Sequence, residues 1–305
     1  MSEVRFDERV AIVTGAGGGL GRAHALLLAS RGAKVVVNDL GGARDGTGAG
    51  TAMADQVVEE IRAAGGEATA NHDGVDTVEG GESIVKTALD AYGKVDILVN
   101  NAGILRDRAF HNLAAEDWDK VQAVHLRGAF CVTQPALRVM RQNSYGRIVF
   151  TTSAAGLFGN FGQTNYGSAK MGLVGLMNVI KIEGQKYSIL ANTIAPLAAS
   201  RLTEDIMPPA ALEKLIPELV SPIVAYLCSE ECTETGSVWS AGGGYYGRVA
   251  MVEGKGVFLD PSGGVTIEQV RENWGKIKDM TGAEEFANAN AEGMARIFPH
   301  LGGGA

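Results

Sequence analysis

The chain has 305 residues, of which 46% are hydrophobic and 20% are charged, a composition typical of a globular protein rather than a disordered one. The formal net charge of −8 argues against a general nucleic-acid-binding protein, because such proteins usually carry a basic face. The charged N-terminus and the lack of an apolar run of ~18 residues argue against a signal peptide and a membrane span. Since the last residues, 301–305, also differ from a Ser-Lys-Leu peroxisomal signal, we expect a bacterial cytoplasmic protein with neither nucleic acid nor membrane as partner.

Short β-branched runs alternate with helical patterns along most of the chain. The predicted elements are strand 10–13, helix 20–31, strand 34–38, helix 51–64, strand 67–72, helix 79–92, strand 95–99, helix 115–142, strand 147–151, helix 165–186, strand 189–194, helix 221–229 and strand 238–240. Pro135 is expected to kink or divide the helix 115–142. The alternation predicts an α/β fold, a Rossmann-type doubly wound parallel sheet with helices on both faces.

Two regions depart from this alternation. Residues 41–50 form a glycine-rich insertion after the second strand, for which we favour a mobile surface loop; the alternative is a flap over the adenosine end of a cofactor. After residue 245 the pattern changes to a β-like stretch at 249–259 and two helices at 266–280 and 283–297. We therefore predict a cofactor-binding catalytic domain, 1–245, and a C-terminal extension, 246–305, that covers the substrate site or contacts a second subunit.

The cysteines predict neither disulfides nor a metal site. Cys131, Cys228 and Cys232 are odd in number and spread along the chain, which favours a reducing compartment. Cys228 and Cys232 stand four residues apart, but no histidine or acidic cluster completes a set of metal ligands. Buried, inert thiols are the favoured interpretation.

A glycine-rich turn, Thr14–Gly21, joins the first strand to the first helix. Glycines at this place let the backbone approach a pyrophosphate, and the helix start offers free N–H groups and the positive end of its dipole. A glycine run alone indicates an ordinary turn about as often as a dinucleotide site. Its position between a strand and a helix favours the dinucleotide site. We predict cofactor contacts from Gly15, Gly19, Leu20 and Gly21.

Asp39 ends the second strand and predicts the choice of cofactor. A carboxylate there accepts hydrogen bonds from both hydroxyls of the adenosine ribose and repels the 2′-phosphate of NADP, so the expected cofactor is NAD. Arg44, in the following loop, can offset that repulsion. The alternative interpretation makes Asp39 an ordinary cap or loop residue.

Tyr166 and Lys170 stand four residues apart on a predicted helix and therefore share one face. An ammonium beside a tyrosine is expected to lower the pKa of the phenol from its usual value of about 10, so that the tyrosine exchanges a proton with a substrate oxygen. Ser153 follows a strand and is expected to bind the same oxygen. The pair by itself is common by chance, whereas the pair with Ser153 and the glycine turn predicts a dehydrogenase.

Over roughly residues 5–245 these motifs, together with Asn100-Asn101-Ala102-Gly103, resemble the short-chain dehydrogenase/reductase superfamily. The resemblance implies that Asn100 supports the cofactor and the central sheet, with Ala102 and Gly103 beside the cofactor. It also implies adenine contacts from Asp73 and Gly74, a nicotinamide amide contact from Thr203, and binding of the nicotinamide ribose by Lys170.

A narrower resemblance covers nearly the whole chain. The segments Val35–Gly42, Asn100–Arg108, His125–Gly128 and Gly159–Gln163 are similar to the (3R)-hydroxyacyl-CoA dehydrogenase part of type 2 peroxisomal multifunctional enzymes, also called 17β-hydroxysteroid dehydrogenase type 4. Two positions depart from the superfamily. His125 stands where an asparagine often serves a water-mediated proton relay, and Pro196 is followed by Leu197 instead of glycine. His125 either makes the hydrogen bond of that asparagine in the relay or is a packed residue without a catalytic role.

The leading hypothesis is oxidation of a (3R)-hydroxyacyl-CoA to the 3-oxoacyl-CoA with NAD, in which Tyr166 is the base, Lys170 tunes it and Ser153 orients the oxygen. The alternatives are a dehydrogenase of 17β-hydroxysteroids or steroid side-chain CoA esters, a 3-oxoacyl carrier protein reductase, and a nucleotide-binding protein without catalysis. Arg106, Arg108 and Arg127 are candidates for contacts with CoA phosphates, although surface salt bridges are the favoured interpretation. A small-molecule substrate and a homodimer or higher homo-oligomer are expected.

Overall fold

The computed structural model describes residues 2–198 and 213–300, and these contain an eight-stranded sheet. Its strands are β1 Val10–Thr14, β2 Lys34–Asn38, β3 Glu67–Asn71, β4 Ile97–Asn100, β5 Gly146–Thr151, β6 Ile189–Pro196, β7 Val238–Gly242 and β8 Tyr245–Val249. The order is β3-β2-β1-β4-β5-β6-β7-β8, and neighbouring strands from β3 to β7 are parallel. Every residue of β1 is buried, which a strand with helices over both faces requires.

The strands are connected by helices, as the alternating pattern predicts. The helices are α1 Gly19–Ser30, α2 Ala52–Ala63, α3 Val78–Tyr92, α4 Ala115–Gln122, α5 Gly128–Asn143, α6 Ala154–Phe158, α7 Thr164–Gly184 and α8 Ser221–Cys228. The predicted doubly wound α/β fold is therefore confirmed. The order of strands reverses direction between β1 and β4, and in such sheets ligands bind in the crevice outside the carboxyl ends of these two strands.

The predicted helix 115–142 is divided, but not at Pro135. One turn of π-helix, Ala123–Arg127, separates α4 from α5, and α5 continues through Pro135. Proline has no N–H to donate to the carbonyl one turn earlier, which belongs to Cys131. Gly81 of α3 lies against this carbonyl, because a Cβ added at Gly81 would be 2.1 Å from the Cys131 oxygen. The helix continues through Pro135 although this carbonyl lacks its intrahelical donor.

The chain divides into two compact units, Met1–Arg248 and Val249–Ala305. The second unit contains α9 Ile267–Ile277 and α10 Ala289–Arg296, both shorter than predicted. Thr266 starts α9 with a capping box, and the side chain of Asn288 caps α10, so each helix begins at a strong N-cap.

The predicted β-like stretch at 249–259 was wrong beyond Val249. Only Glu253 forms a bridge, with Glu284. Gly254 and Gly256 interrupt the alternation, and Gly256 adopts a φ of +63°, which is incompatible with a strand. In the part of the chain that is described, no helix combines the length and the apolar character needed to cross a membrane.

Candidate active site

The glycine turn after β1 is built by two close backbone approaches. Gly15 has a φ of +63°, and a Cβ there would lie 2.7 Å from Ala102 Cα. A Cβ on Gly21, in the first turn of α1, would lie 2.1 Å from the carbonyl oxygen of Gly15. Asn101 Nδ2 donates to the carbonyl oxygens of Thr14 and Gly15, both at 3.1 Å. The turn is therefore held against the end of β4, an anchor that the sequence motif did not reveal.

The start of α1 is open toward the crevice. Gly18 is its N-cap and, among the described residues, no side chain caps the helix. Gly15, Gly18, Gly19 and Leu20 line a groove in the described chain. Uncapped N–H groups in a groove form a site for phosphate oxygens, which fits the pyrophosphate of a dinucleotide.

Asp39 faces the same groove just after β2. Its Oδ2 accepts from the N–H of Gly17 at 2.8 Å, and its Oδ1 accepts from the N–H of Gly41 at 2.7 Å. A carboxylate offers about four acceptor positions, so these two bonds fix its orientation and leave capacity for ribose hydroxyls. Arg44 also lines the groove, so both residues weighed for the choice of cofactor are present in it.

Asp73 and Gly74 lie at the adjacent end of the groove, after β3. Asp73 Oδ2 accepts hydrogen bonds from Asn71 Nδ2 at 2.9 Å and from Ser83 Oγ at 2.7 Å. Asn38 Nδ2 donates to Asn71 Oδ1 at 2.9 Å and also to the carbonyl oxygen of Asp73. This polar network positions Asp73, and sequence reasoning missed it because its members come from three separate elements.

The residues of the motif Asn100–Gly103 lie partly in the sheet and partly in the groove. Asn100 is buried at the end of β4 and donates from Nδ2 to Thr133 Oγ1 of α5 at 2.9 Å. Ala102 and Gly103 line the groove, and Thr14 Oγ1 accepts from the N–H of Ala102 at 3.2 Å. Gly103 leaves room for a histidine ring, since a Cβ there would lie 2.4 Å from His125 Cε1.

The insertion 41–50 lies on the surface, and part of it also lines the groove. The loop Leu40–Gly50 closes at its base, where the N–H of Gly50 donates to the carbonyl of Leu40 at 2.8 Å. Ala43 donates to the Thr47 carbonyl inside the loop, at 2.7 Å. The glycine-rich sequence did not predict these contacts, because they are hydrogen bonds between backbone groups.

Ser153, Tyr166 and Lys170 lie together beyond the groove. Ser153 is the N-cap of α6, and Tyr166 and Lys170 share one side of α7. Lys170 Nζ is 5.4 Å from the centroid of the Tyr166 ring and donates to the carbonyl of Thr151 at 2.6 Å. The three predicted catalytic residues are thus brought together by β5, α6 and α7.

The expected lowering of the Tyr166 pKa by Lys170 was wrong. Burial raises the pKa of Tyr166, the hydrogen bond with Ser153 lowers it, and the charge of Asp107 raises it, so that the net shift is upward. Burial also lowers the pKa of Lys170 to about 7. The amine of Lys170 is therefore only partly protonated near neutral pH, and its hydrogen bond goes to the carbonyl of Thr151.

His125 is buried in the π-helical turn and lies against Tyr166. Its ring packs edge-on against Tyr166, with centroids 5.2 Å apart. Nε2 lies 2.8 Å from the carbonyl oxygen and 3.0 Å from the nitrogen of Ile104. Burial and the charge of Lys170 lower the pKa of His125 to about 3, so the ring is neutral. Nδ1 is buried without a hydrogen-bond partner in the described structure.

The other predicted positions have ordinary surroundings. Arg106 bonds the carbonyl of Asp45 at 2.8 Å and the carboxylate of Asp117 at 3.1 Å, as the salt-bridge interpretation expected. The three cysteines are free and buried, and burial raises the pKa of the thiol in each of them. Among the described residues no cluster of three or more His, Cys, Asp or Glu could hold a metal ion. Thr203 lies outside the described residues.

Sheet order, glycine turn and the Tyr166–Lys170 helix define the class of dinucleotide-binding oxidoreductases. The chain matches the short chain dehydrogenase family over residues 9–205 and belongs to it. A short-chain type dehydrogenase/reductase of Mycobacterium tuberculosis is 57% identical over 91% of the chain and 96% of its own length. Peroxisomal multifunctional enzyme type 2 of Mus musculus is 52% identical over 93% of the chain, which spans only 38% of that enzyme. A hydroxyacyl-CoA dehydrogenase of Mycobacterium tuberculosis is 39% identical, with 74% of each chain covered.

Two solved structures share the fold. The full-length peroxisomal multifunctional enzyme type 2 of Drosophila melanogaster superposes with a TM-score of 0.82 and 43% identity, over 98% of this chain and 50% of that one. A 7α-hydroxysteroid dehydrogenase, solved with NADH and 7-oxo glycochenodeoxycholic acid, superposes with a TM-score of 0.71 and 28% identity, over 79% and 95%. The protein is thus a short-chain oxidoreductase with hydroxyacyl-CoA dehydrogenases among its relatives.

Proposed function

We propose that the protein oxidises (3R)-hydroxyacyl-CoA esters to 3-oxoacyl-CoA esters with NAD. The observation that carries the reaction type is the grouping of Ser153, Tyr166 and Lys170 next to a groove that fits a dinucleotide. The hydroxyacyl-CoA relatives support the substrate class. The extension 246–305 remains a proposed substrate cover or subunit contact, and a homodimer or higher homo-oligomer remains a prediction.

Ser153 and Tyr166 have different roles at the reacting alcohol. When bound, the dinucleotide supplies the hydride acceptor and, in its oxidised form, a positive charge. The Ser153 hydroxyl binds the 3-oxygen, and Tyr166 accepts the hydroxyl proton as the C3–O bond becomes a carbonyl. The hydrogen bond with Ser153 lowers the pKa of Tyr166 and so opposes the burial that raises it. The reduction uses the same groups in reverse.

Lys170 and His125 line a small cavity. Its volume is about 10 Å³, and Asn100 also lines it. This is about the space of one water molecule, and such a water would satisfy the buried Nδ1 of His125. We therefore assign to the neutral His125 the water-binding position of a proton path that leads away from Lys170, in place of the asparagine common in the superfamily.

The decisive experiment measures NADH formation with matched (3R)- and (3S)-hydroxyacyl-CoA esters of increasing chain length. We expect turnover with the 3R series only. A 17β-hydroxysteroid, a steroid side-chain CoA ester and a 3-hydroxyacyl carrier protein test the alternatives in the same assay. Activity confined to the 3S series, or to one of these alternatives, would reject the proposal.

A second prediction concerns Asp39. In Asp39→Asn the ratio of kcat/KM with NAD to kcat/KM with NADP should fall about 100-fold, because apposed like charges cost several kcal/mol. Asparagine removes the charge and keeps an acceptor oxygen for one of the two backbone N–H groups, of Gly17 or Gly41. The matched control is Asp90→Asn, an exposed carboxylate of α3 paired with Lys86, which should leave the ratio unchanged. A wild-type preference for NADP would contradict the role given to Asp39.

A further inference from the structure

The segment Ile104–Arg108, directly after the Asn100–Gly103 motif, is bonded on both sides. Toward the loop Leu40–Gly50, the N–H of Leu105 donates to the carbonyl of Arg44 at 3.0 Å. Toward the residues before Tyr166, the N–H of Arg108 donates to the carbonyl of Gly162 at 2.9 Å. The segment therefore connects the adenosine side of the groove with the catalytic helix, and nothing in the proposed chemistry accounts for this connection.

Arg106 makes the side-chain contacts of this connection. Its Nε donates to the carbonyl of Asp45 at the tip of the loop, at 2.8 Å, and its Nη1 forms an ion pair with Asp117 at 3.1 Å. Both partners of the ion pair are about three-quarters buried, with exposed fractions of 22% and 25%. Hydrogen bonds from charged groups in such surroundings are stronger than neutral ones.

The backbone of Arg106 belongs to a different network. Its carbonyl accepts from Asn165 Nδ2 at 2.9 Å, and Asn165 is fully buried at the start of α7. Asn165 Oδ1 in turn accepts from the N–H of Tyr166 at 2.8 Å. The guanidinium thus holds the loop, while the carbonyl anchors the same residue to the catalytic helix. Replacing the side chain separates these two roles.

The loop that Arg106 holds forms a wall of the groove. Gly42, Ala43, Arg44 and Gly46 line it together with Asp39. A Cβ on Gly46 would lie 3.0 Å from the side chain of Ile104, so the loop tip packs directly on the connecting segment. Opening the groove on this side requires the bonds of Leu105 and Arg106 to break.

We propose that Arg106 is a positioning residue that clamps the loop Leu40–Gly50 against the groove and thereby limits the release of the dinucleotide. This inference rests on the proposed dinucleotide-dependent function. Because the clamp uses contacts within the protein, it acts before the acyl-CoA substrate binds. It also leaves the guanidinium engaged, so that Arg106 is not a contact for the CoA phosphates.

The test is the NADH dissociation rate constant, measured by stopped-flow fluorescence with excess NAD as competitor. In Arg106→Ala it should rise about tenfold, the effect of losing one hydrogen bond to a charged group. Arg106→Lys keeps the charge but cannot form both contacts, so its rate should be intermediate. Arg138→Ala is the matched control, because this exposed arginine of α5 bonds Gln134, one turn away, and lies outside the loop and the groove.

Hydrogen–deuterium exchange of the protein without cofactor provides the second readout. In Arg106→Ala the amides of residues 40–50 should exchange faster, while those of β1 and α7 keep the wild-type rate. Unchanged NADH release and unchanged loop exchange in a folded Arg106→Ala protein would overturn the clamp. Failure of the wild-type protein to bind NADH would instead reject the proposed function, so the two failures are distinguishable.

Discussion

Tyr166→Phe should reduce kcat for hydroxyacyl-CoA oxidation by about 10²–10⁴-fold, the usual contribution of a positioned acid or base. Phenylalanine keeps the ring that packs on His125 and removes only the hydroxyl. Fold and NADH affinity should therefore persist, and fluorescence titration with NADH together with thermal unfolding verifies this. The control is Tyr226→Phe on α8, which removes a hydroxyl from a half-exposed tyrosine outside the groove. Near-wild-type turnover in Tyr166→Phe would contradict the assigned base.

If Tyr166 is the acid and base, the oxidation and the reduction should depend on pH in opposite ways. Oxidation needs the deprotonated tyrosine, and burial raises the pKa of Tyr166, so the oxidation rate should increase as the pH rises. Reduction needs the protonated tyrosine and should slow over the same range. Measurement of single-turnover rates in both directions tests this sign. A rising limb for oxidation that persists in Tyr166→Phe would assign the titration to another group.

Gly21→Ala should abolish the groove's ability to bind the dinucleotide. The added Cβ would lie 2.1 Å from the Gly15 carbonyl and 2.6 Å from Asn101 Nδ2, and the first of these is backbone that cannot rotate away. The start of α1 must therefore move away from the turn, and the N–H groups move with it. Overpacking of this kind costs about 1–3 kcal/mol of stability, so the protein should still fold.

The measurements for Gly21→Ala are NADH affinity and the free energy of unfolding. Gly175→Ala is the matched control: Gly175 lies inside α7, and an added Cβ there meets nothing within 4 Å. Because alanine is the better helix former, this control should raise stability by up to about 1 kcal/mol and leave NADH binding unchanged. Wild-type NADH affinity in Gly21→Ala would show that the turn tolerates the displacement.

The sequence predicted the parts of the site that depend on local pattern. The glycine turn follows from its place between β1 and α1, and the pairing of Tyr166 with Lys170 follows from helical spacing. The sheet follows because buried parallel strands read as continuous apolar runs. These features are determined by a few consecutive residues, so they do not depend on how the rest of the chain packs.

What the sequence could not predict depends on contacts between distant segments. The pKa of Tyr166 depends on its burial, on the hydrogen bond with Ser153 and on the charge of Asp107, and none of these is visible in a spacing of four residues. Pro135 was expected to kink or divide the helix 115–142, but the division lies at the π-helical turn Ala123–Arg127, and α5 continues through Pro135. The β-like pattern after Val249 pairs only at Glu253, with Glu284, among the described residues, and Gly256 with its φ of +63° prevents a strand from continuing there.

The closure of the loop at Leu40 and Gly50 has a consequence for how this protein can change. A segment whose two ends are joined by a backbone bond can be replaced or lengthened at little entropic cost, since each doubling of loop length costs only about 0.6 kcal/mol. Changes in length or sequence that keep the bonds with Leu105 and Arg106 can therefore alter the wall of the groove beside Asp39 without disturbing β2 or α2.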